Sequence, residues 1–211
     1  MCKTRYAKAT GWATVGLPCS AAEPMSSPHR CFLALEPDAA TRTALARLCP
    51  HGDSSWQALN HDSLHLTLRF YGRIDTARMS QLGNSLLQLA RPLPELQPAG
   101  SLLLPKPDCA RVWALRYTPT QVWQRLADAA EQQAQGLGLA AESRPWLPHV
   151  SLARARGSAT LSLPEPVPAA EDPCFRAAAL SLLESVPSPE GRRYLCRARR
   201  FLTISIPDGP T

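Results

Sequence analysis

Apolar positions in this chain fall into short runs and stripes, cut by proline and glycine, whose period changes along the sequence. From Arg30, the run Cys31-Phe32-Leu33-Ala34-Leu35 has the length of a buried strand. Pro37-Asp38 then opens a helix whose apolar face includes Leu45 and Leu48. Leu64 to Tyr71 alternates as a strand and is expected to stop at Gly72. A second helix is predicted from Asp75, with Met79, Leu82, Leu86 and Leu89 at near-helical spacing, ended by Pro92. Leu102-Leu103-Leu104 and Val112 to Tyr117 read as two more strands joined by a proline-rich turn. Pro119 to Gln135 is a third helix with Val122, Leu126 and Ala130 inward, closed by Gly136. Strands follow near His149–Ala153, Ala177–Ser185 and Tyr194–Ile204. The last two read as strand, turn, strand, so the pattern predicts an α+β protein with antiparallel pairing.

Residues 1–29 show neither period and carry a single acid, Glu23. Trp12 to Leu17 is too short and broken for a secretory signal core, so this stretch is read as a disordered leader or as the result of a start placed ahead of Met25. One domain is expected over residues 30–204, with a tail at 205–211. The 211 residues suffice for one core, and no run approaches the roughly 18 apolar residues of a transmembrane helix. The net charge of +6 favours an anionic partner. Seven scattered cysteines without a C-x-x-C pair fit free thiols in a reducing compartment, and a cytoplasmic location is expected.

One pattern occurs twice. His65-Leu66-Thr67-Leu68 and His149-Val150-Ser151-Leu152 both read histidine, apolar, hydroxyl, apolar. On a strand, each histidine shares a face with the hydroxyl two residues on, while the apolar residues face the core. Two such tetrads among five histidines arise by chance in roughly 1% of chains of this composition. A pair of imidazoles suits phosphodiester hydrolysis: one takes a proton from water, the other protonates the leaving oxygen, and each contributes roughly 10²–10⁴-fold. The Thr67 and Ser151 hydroxyls can hold the nonbridging oxygens. This chemistry requires neither metal nor cofactor.

With their flanks, Ser63 to Gly72 and Arg144 to Arg154, the two motifs resemble the 2H phosphoesterase superfamily. Within it they most resemble the bacterial RNA 2′,3′-cyclic phosphodiesterases, also called 2′-5′ RNA ligases. Arg30 to Leu35 and Tyr194-Leu195-Cys196-Arg197 resemble that group's first and last strands, so the similarity spans roughly Arg30 to Thr203. The resemblance implies a two-lobed α+β fold with pseudo-twofold symmetry, antiparallel sheets lining a central cleft and helices outside. It implies an enzyme that opens RNA 2′,3′-cyclic phosphate ends to 2′-phosphates, with reversible 2′-5′ ligation; a monomer is expected. Carried over by position, His65 is the proton donor, His149 the proton acceptor, and Thr67 and Ser151 hold the phosphate. Arg154 matches a basic residue of the second motif, although strand parity turns it away from His149 unless the strand ends or twists there. Phe70 matches an aromatic of the first motif, while alternation assigns it to the core. Ser151 replaces the more usual threonine, and Tyr71 stands where leucine is common.

Alternatives within the superfamily are cleavage of 2′-5′ linkages or of a cyclic phosphate on a nucleotide-sugar derivative. From outside it comes a noncatalytic RNA-binding module. His61-x-x-x-His65 has the spacing of two metal ligands on a helix, but the local pattern is strand-like. Trp146 is read as packing beneath the cleft in preference to stacking a base. The arginines at 192, 193, 197, 199 and 200 fit an edge strand or an RNA surface equally well. Leu163 to Pro173 reads as a surface loop.

Overall fold

The structure is a computed structural model that describes residues 28–50, 55–156, 172–189 and 191–202. The leader up to residue 27, the expected loop through residue 171 and the tail from residue 203 lie outside the described residues. In chain order the elements are β1 (His29–Pro37), α1 (Ala39–Leu48), β2 (Trp56–Ala58), β3 (Leu66–Ile74), α2 (Thr76–Leu89), β4 (Pro98–Leu104), β5 (Val112–Tyr117), α3 (Gln121–Gly136), β6 (His149–Ala155), β7 (Ala177–Ser188) and β8 (Gly191–Phe201). Among the described residues no helix is long and apolar enough to cross a membrane.

Local chemistry sets the helix starts. Asp38 and Asp75 stand in extended backbone, and each side chain accepts the amide proton three residues on, at 2.7 Å from Thr41 N and Arg78 N respectively. Replacing such a cap with alanine costs about 1 kcal/mol. In α3 the inward stripe is Trp123, Leu126, Ala127, Ala130 and Ala134. The expected inward Val122 is 41% exposed instead. Trp123 takes the inward place because it buries a larger apolar surface and its indole donates to the Pro94 carbonyl at 3.1 Å.

Among the described residues the eight strands join one antiparallel sheet ordered β4-β5-β6-β3-β1-β7-β8, with β2 added on β6. The order is palindromic about the β6–β3 junction, apart from β8. The unit β1-α1-β3 has its counterpart in β5-α3-β6, and β4 is the counterpart of β7. The chain leaves β3 through α2 to pair β4 with β5, and returns after β6 to pair β7 with β1. Each half thus takes its outer strand from the other, which ties the two together.

The halves repeat in register as well as in order. In one, Leu35 pairs Leu66, Ala34 pairs Thr67, Leu33 pairs Arg69 and Phe32 pairs Phe70. In the other, Leu115 pairs Val150, Ala114 pairs Ser151, Trp113 pairs Ala153 and Val112 pairs Arg154. Both registers skip one residue, Leu68 or Leu152, so the same β-bulge stands three residues after each histidine. A second bulge at Tyr71, followed by Gly72 at φ +71°, bends β3 without ending it. The strand expected to stop at Gly72 therefore runs on to Ile74, because glycine admits the left-handed backbone that the bend requires.

The core lies between the sheet and the helices, where Leu33, Leu35, Leu66, Val150 and Leu180 meet Leu45, Leu82, Leu86 and Leu126. On the opposite face of β1, Phe32 and Ala34 pack with Leu183 and Tyr194 in a small second cluster. Coverage on both faces explains why this strand reads as an unbroken apolar run.

Candidate active site

Strands β3 and β6 are joined at one residue pair, Leu66 with Val150. These are the second residues of the two repeated motifs, and both are fully buried on the helix side. Side chains alternate along a strand, so the neighbours of that pair turn the other way. His65, Thr67, His149 and Ser151 therefore emerge together on the face away from the helices, all half-buried. His65 stands just ahead of β3 and His149 is the first residue of β6.

Each ring is fixed in the same way. His65 Nδ1 lies 2.6 Å from the Ser63 carbonyl, and His149 Nδ1 lies 2.8 Å from the Leu147 carbonyl. A carbonyl only accepts, so Nδ1 donates in both rings and the proton-free nitrogen of the neutral imidazole is Nε2. Both side chains thus offer Nε2 for proton exchange. The segment before His65 is held by Arg42 of α1, which donates to the His61 carbonyl at 3.1 Å and to the Leu64 carbonyl at 3.4 Å. Trp146 packs against the main core, and its indole donates to the Thr67 carbonyl at 3.0 Å. A residue just ahead of one motif therefore fastens the backbone of the other. This matches the expectation that Trp146 packs in preference to stacking.

Burial pushes the His65 imidazole down to about 4. Its bond to the Ser63 carbonyl opposes that fall, His149 and Arg154 add to it, and the Glu36 carboxylate opposes it. His149 is also lowered by burial, against the pull of the Leu147 carbonyl. Burial thus favours the neutral form of both rings in the free protein. An anion placed between them favours a proton on one ring.

The bulges decide what else reaches this face. Unbroken alternation would send residue 69 to the site and Phe70 to the core. With Leu68 skipped, Arg69 is instead buried on the helix side in an ion pair with Glu131, and Phe70 turns out, 49% exposed. The expectation that Phe70 belongs to the core is corrected by that inserted residue. In the second motif the same insertion turns Arg154, an exposed residue, out at the position equivalent to Phe70. The change of twist that a site role for Arg154 required is therefore present, and its charge acts on His65.

Several neighbours escaped the sequence reading. The His65 ring lies 5.0 Å from Phe32 and 5.0 Å, edge to face, from Tyr194. Phe70 extends this aromatic group at 5.6 Å from Phe32. Across the strand from His149 stands Arg116. Phe32 and Glu36 in β1, and Arg116 in β5, lie on the same face as the motif histidines. Only the strand order reveals this, because within their own segments they are ordinary alternating positions. His61 sits in a short 3-10 turn over His61–Ser63, bonded to Asp62 at 3.1 Å, so its spacing to His65 is not that of a helix face. The basic hairpin is partly neutralised: Arg197 pairs with Glu184, and Arg199 pairs with Glu36 at 2.9 Å.

No protein-family model matches the chain. An RNA 2′,3′-cyclic phosphodiesterase of Aeropyrum pernix is 27% identical over 121 residues, which cover 56% of this chain and 69% of that protein. Among solved structures, E. coli LigT in apo form superposes with a TM-score of 0.65 at 22% identity, covering 84% of this chain and 99% of that one. TT0787 of Thermus thermophilus gives a TM-score of 0.67 at 23% identity, covering 83% and 99%. E. coli LigT complexed with 3′-AMP gives 0.64 at 23% identity, covering 83% and 99%. The chain has the fold of these proteins, and the comparisons support the 2H phosphoesterase resemblance carried by its two motifs.

Proposed function

We propose that this chain hydrolyses 2′,3′-cyclic phosphate ends of RNA to 2′-phosphates by two-histidine acid–base catalysis, as a monomer in the cytoplasm. The observation that carries the reading is the single Leu66–Val150 bridge. The residues flanking it, two Nδ1-anchored imidazoles and two hydroxyls, share one face of the sheet. The relative named for this activity and the nucleotide complex of a structural neighbour support RNA ends as the substrate class.

In the reaction, His149 Nε2 takes a proton from water as the oxygen attacks phosphorus. The bond from phosphorus to the 3′-oxygen breaks, and His65 Nε2–H delivers its proton to that oxygen, leaving the phosphate on the 2′-oxygen. Thr67 and Ser151 donate to the nonbridging oxygens, and Arg154 stabilises their charge. The low proton affinity of His65 suits this role, because once charged it is a strong acid toward the leaving oxygen. The bound phosphate supplies the field that charges it. With the 5′-hydroxyl of a second RNA in place of water, the same step forms a 2′-5′ linkage, and its reversal restores the cyclic phosphate.

The decisive assay incubates an oligoribonucleotide ending in a 2′,3′-cyclic phosphate with the protein in EDTA and identifies the product by mass and by 2′- or 3′-phosphate-specific digestion. A 2′-phosphate in undiminished yield is expected. Loss of turnover in EDTA, or a 3′-phosphate product, would overturn the reading.

A further inference from the structure

The two halves carry opposite charges at one pair of equivalent positions. Arg116 stands directly across from His149, one step beyond the Leu115–Val150 pair. Glu36 stands the same step beyond the Leu35–Leu66 pair, beside His65. The two side chains are held differently. Glu36, 17% exposed, accepts from Ser181 Oγ and from Arg199 Nε at 2.9 Å, and lies 3.8 Å from Arg42 Nη2. It shares with His65 the wall of a cavity of about 70 Å³. Arg116 is exposed and donates to the Ala99 carbonyl at 3.1 Å.

We infer that this opposed pair divides the labour between two otherwise equivalent histidines, Glu36 favouring the imidazolium at His65 and Arg116 favouring the neutral ring at His149. Glu36 and Arg116 act as positioning residues, through the charge state of the rings. The inference rests on the two-histidine reading of the site.

Other groups face the same rings. His149 and Arg154 face His65 from β6 and disfavour a charge there. From β8, Tyr194, Cys196 and Arg199 face its cavity. Asp62, in the preceding turn, is 91% exposed and so strongly screened. Glu36 is the carboxylate with little solvent around it, and it favours a charge on His65 although Arg199 and Arg42 both pair with it. His149 is faced by Arg116, its strand partner on β5, and by His65 across the central bridge to β3. With the backbone repeated so closely in the two halves, flanking side chains distinguish one ring from the other, and Glu36 and Arg116 are the pair of opposite charge among them.

The test is an NMR titration of both imidazoles in the substrate-free protein, comparing the wild type with E36Q, R199Q and R116Q. E36Q and R199Q break the same ion pair, so a purely structural role moves His65 the same way in both. A role through charge moves it in opposite directions: down by about 0.5–1 pH unit in E36Q and up by a similar amount in R199Q. R116Q is expected to raise His149 by about 0.3 pH unit, with His65 displaced less. A His65 titration that is unmoved in E36Q, or that shifts alike in E36Q and R199Q, overturns the inference. The titration needs no turnover. Opposite shifts in a protein that leaves cyclic phosphates intact would sink the catalytic reading and sustain the charge division.

Discussion

His65 and His149 stand on the same scaffold in different chemical company. Each follows a carbonyl that fixes its Nδ1, precedes a buried residue of the central bridge, and is followed by a hydroxyl and a bulge. Around His65, however, the face carries Phe32, Phe70, Tyr194 and Glu36, whereas the half around His149 carries Val112, Arg154 and Arg116. The shared backbone explains how two rings come to lie on one face of the sheet. The unshared flanks give a symmetric frame the asymmetry that the proposed acid–base reaction requires. One half offers apolar and aromatic surface, and the other offers cations.

The most severe way to break the comparison is to remove either ring. His65→Ala and His149→Ala should each lower kcat by roughly 10²–10⁴-fold while far-UV circular dichroism and the urea midpoint stay near wild type. Near-normal turnover in one variant would mean that the halves do not share the chemistry. The wild-type kcat/KM should be bell-shaped in pH, since one ring must be charged and the other neutral. Both imidazoles are lowered by burial in the free protein, so its alkaline limb should fall below 6.5. The corresponding limb of kcat should lie at higher pH, because bound phosphate favours the charged ring. A profile that rises monotonically to pH 9 would contradict the mechanism.

The equivalent positions after the bulges sharpen the contrast. Arg154→Ala removes a cation from the face that carries the two histidines and, on the proposed reading, should cost roughly 10–100-fold in kcat/KM, much of it in kcat. Phe70→Ala should raise KM by about 5–10-fold for an oligonucleotide and leave kcat within about twofold, since a stacking surface holds the base and not the reacting atoms. Equal kcat losses at both positions would show that the two halves are not specialised in this way.

The sequence made the two histidines, their hydroxyls and most elements legible because each depends on local pattern. The His65 and His149 tetrads announce a polar face on an apolar strand, and Asp38 and Asp75 announce helix starts. What stayed hidden depends on partners far along the chain. A bulge is a mismatch between two strands, so Leu68 looks like any core leucine until β1 is laid beside β3. That inserted residue explains why Phe70 is outside the core, and its repeat at Leu152 explains why Arg154 is on the site face. β2 is three residues long and gains its order from β6, about a hundred residues later, so no local period marks it. In α3 the stripe could be drawn through Val122 or Trp123, and only the neighbouring Pro94 carbonyl and the packed core select the tryptophan.

Burial of the rings also affects stability. Below about pH 6.5 an unfolded chain binds protons that the native His65 refuses until about pH 4. Native stability contributed by the neutral ring is therefore whole above pH 6.5 and declines as the pH falls through this window. The urea midpoint should drop across it, and His65→Asn, which has no such group to titrate, should flatten part of the decline. An identical decline in that variant would assign the effect to other groups.

The smallest effect concerns the tie between the halves. The Trp146 indole joins the approach to the second motif to the Thr67 carbonyl of the first. Trp146→Phe keeps most of the apolar surface but leaves that carbonyl without this donor, which should cost about 1 kcal/mol of stability in urea. If the bond only adds stability, kcat should not change. If it also holds the two histidines at their working separation, kcat should fall about threefold with KM nearly constant, because a small displacement between acid and base weakens the transition state more than binding. Measuring stability and kcat on the same variant therefore tells whether the halves are merely fastened together or held in register for the reaction.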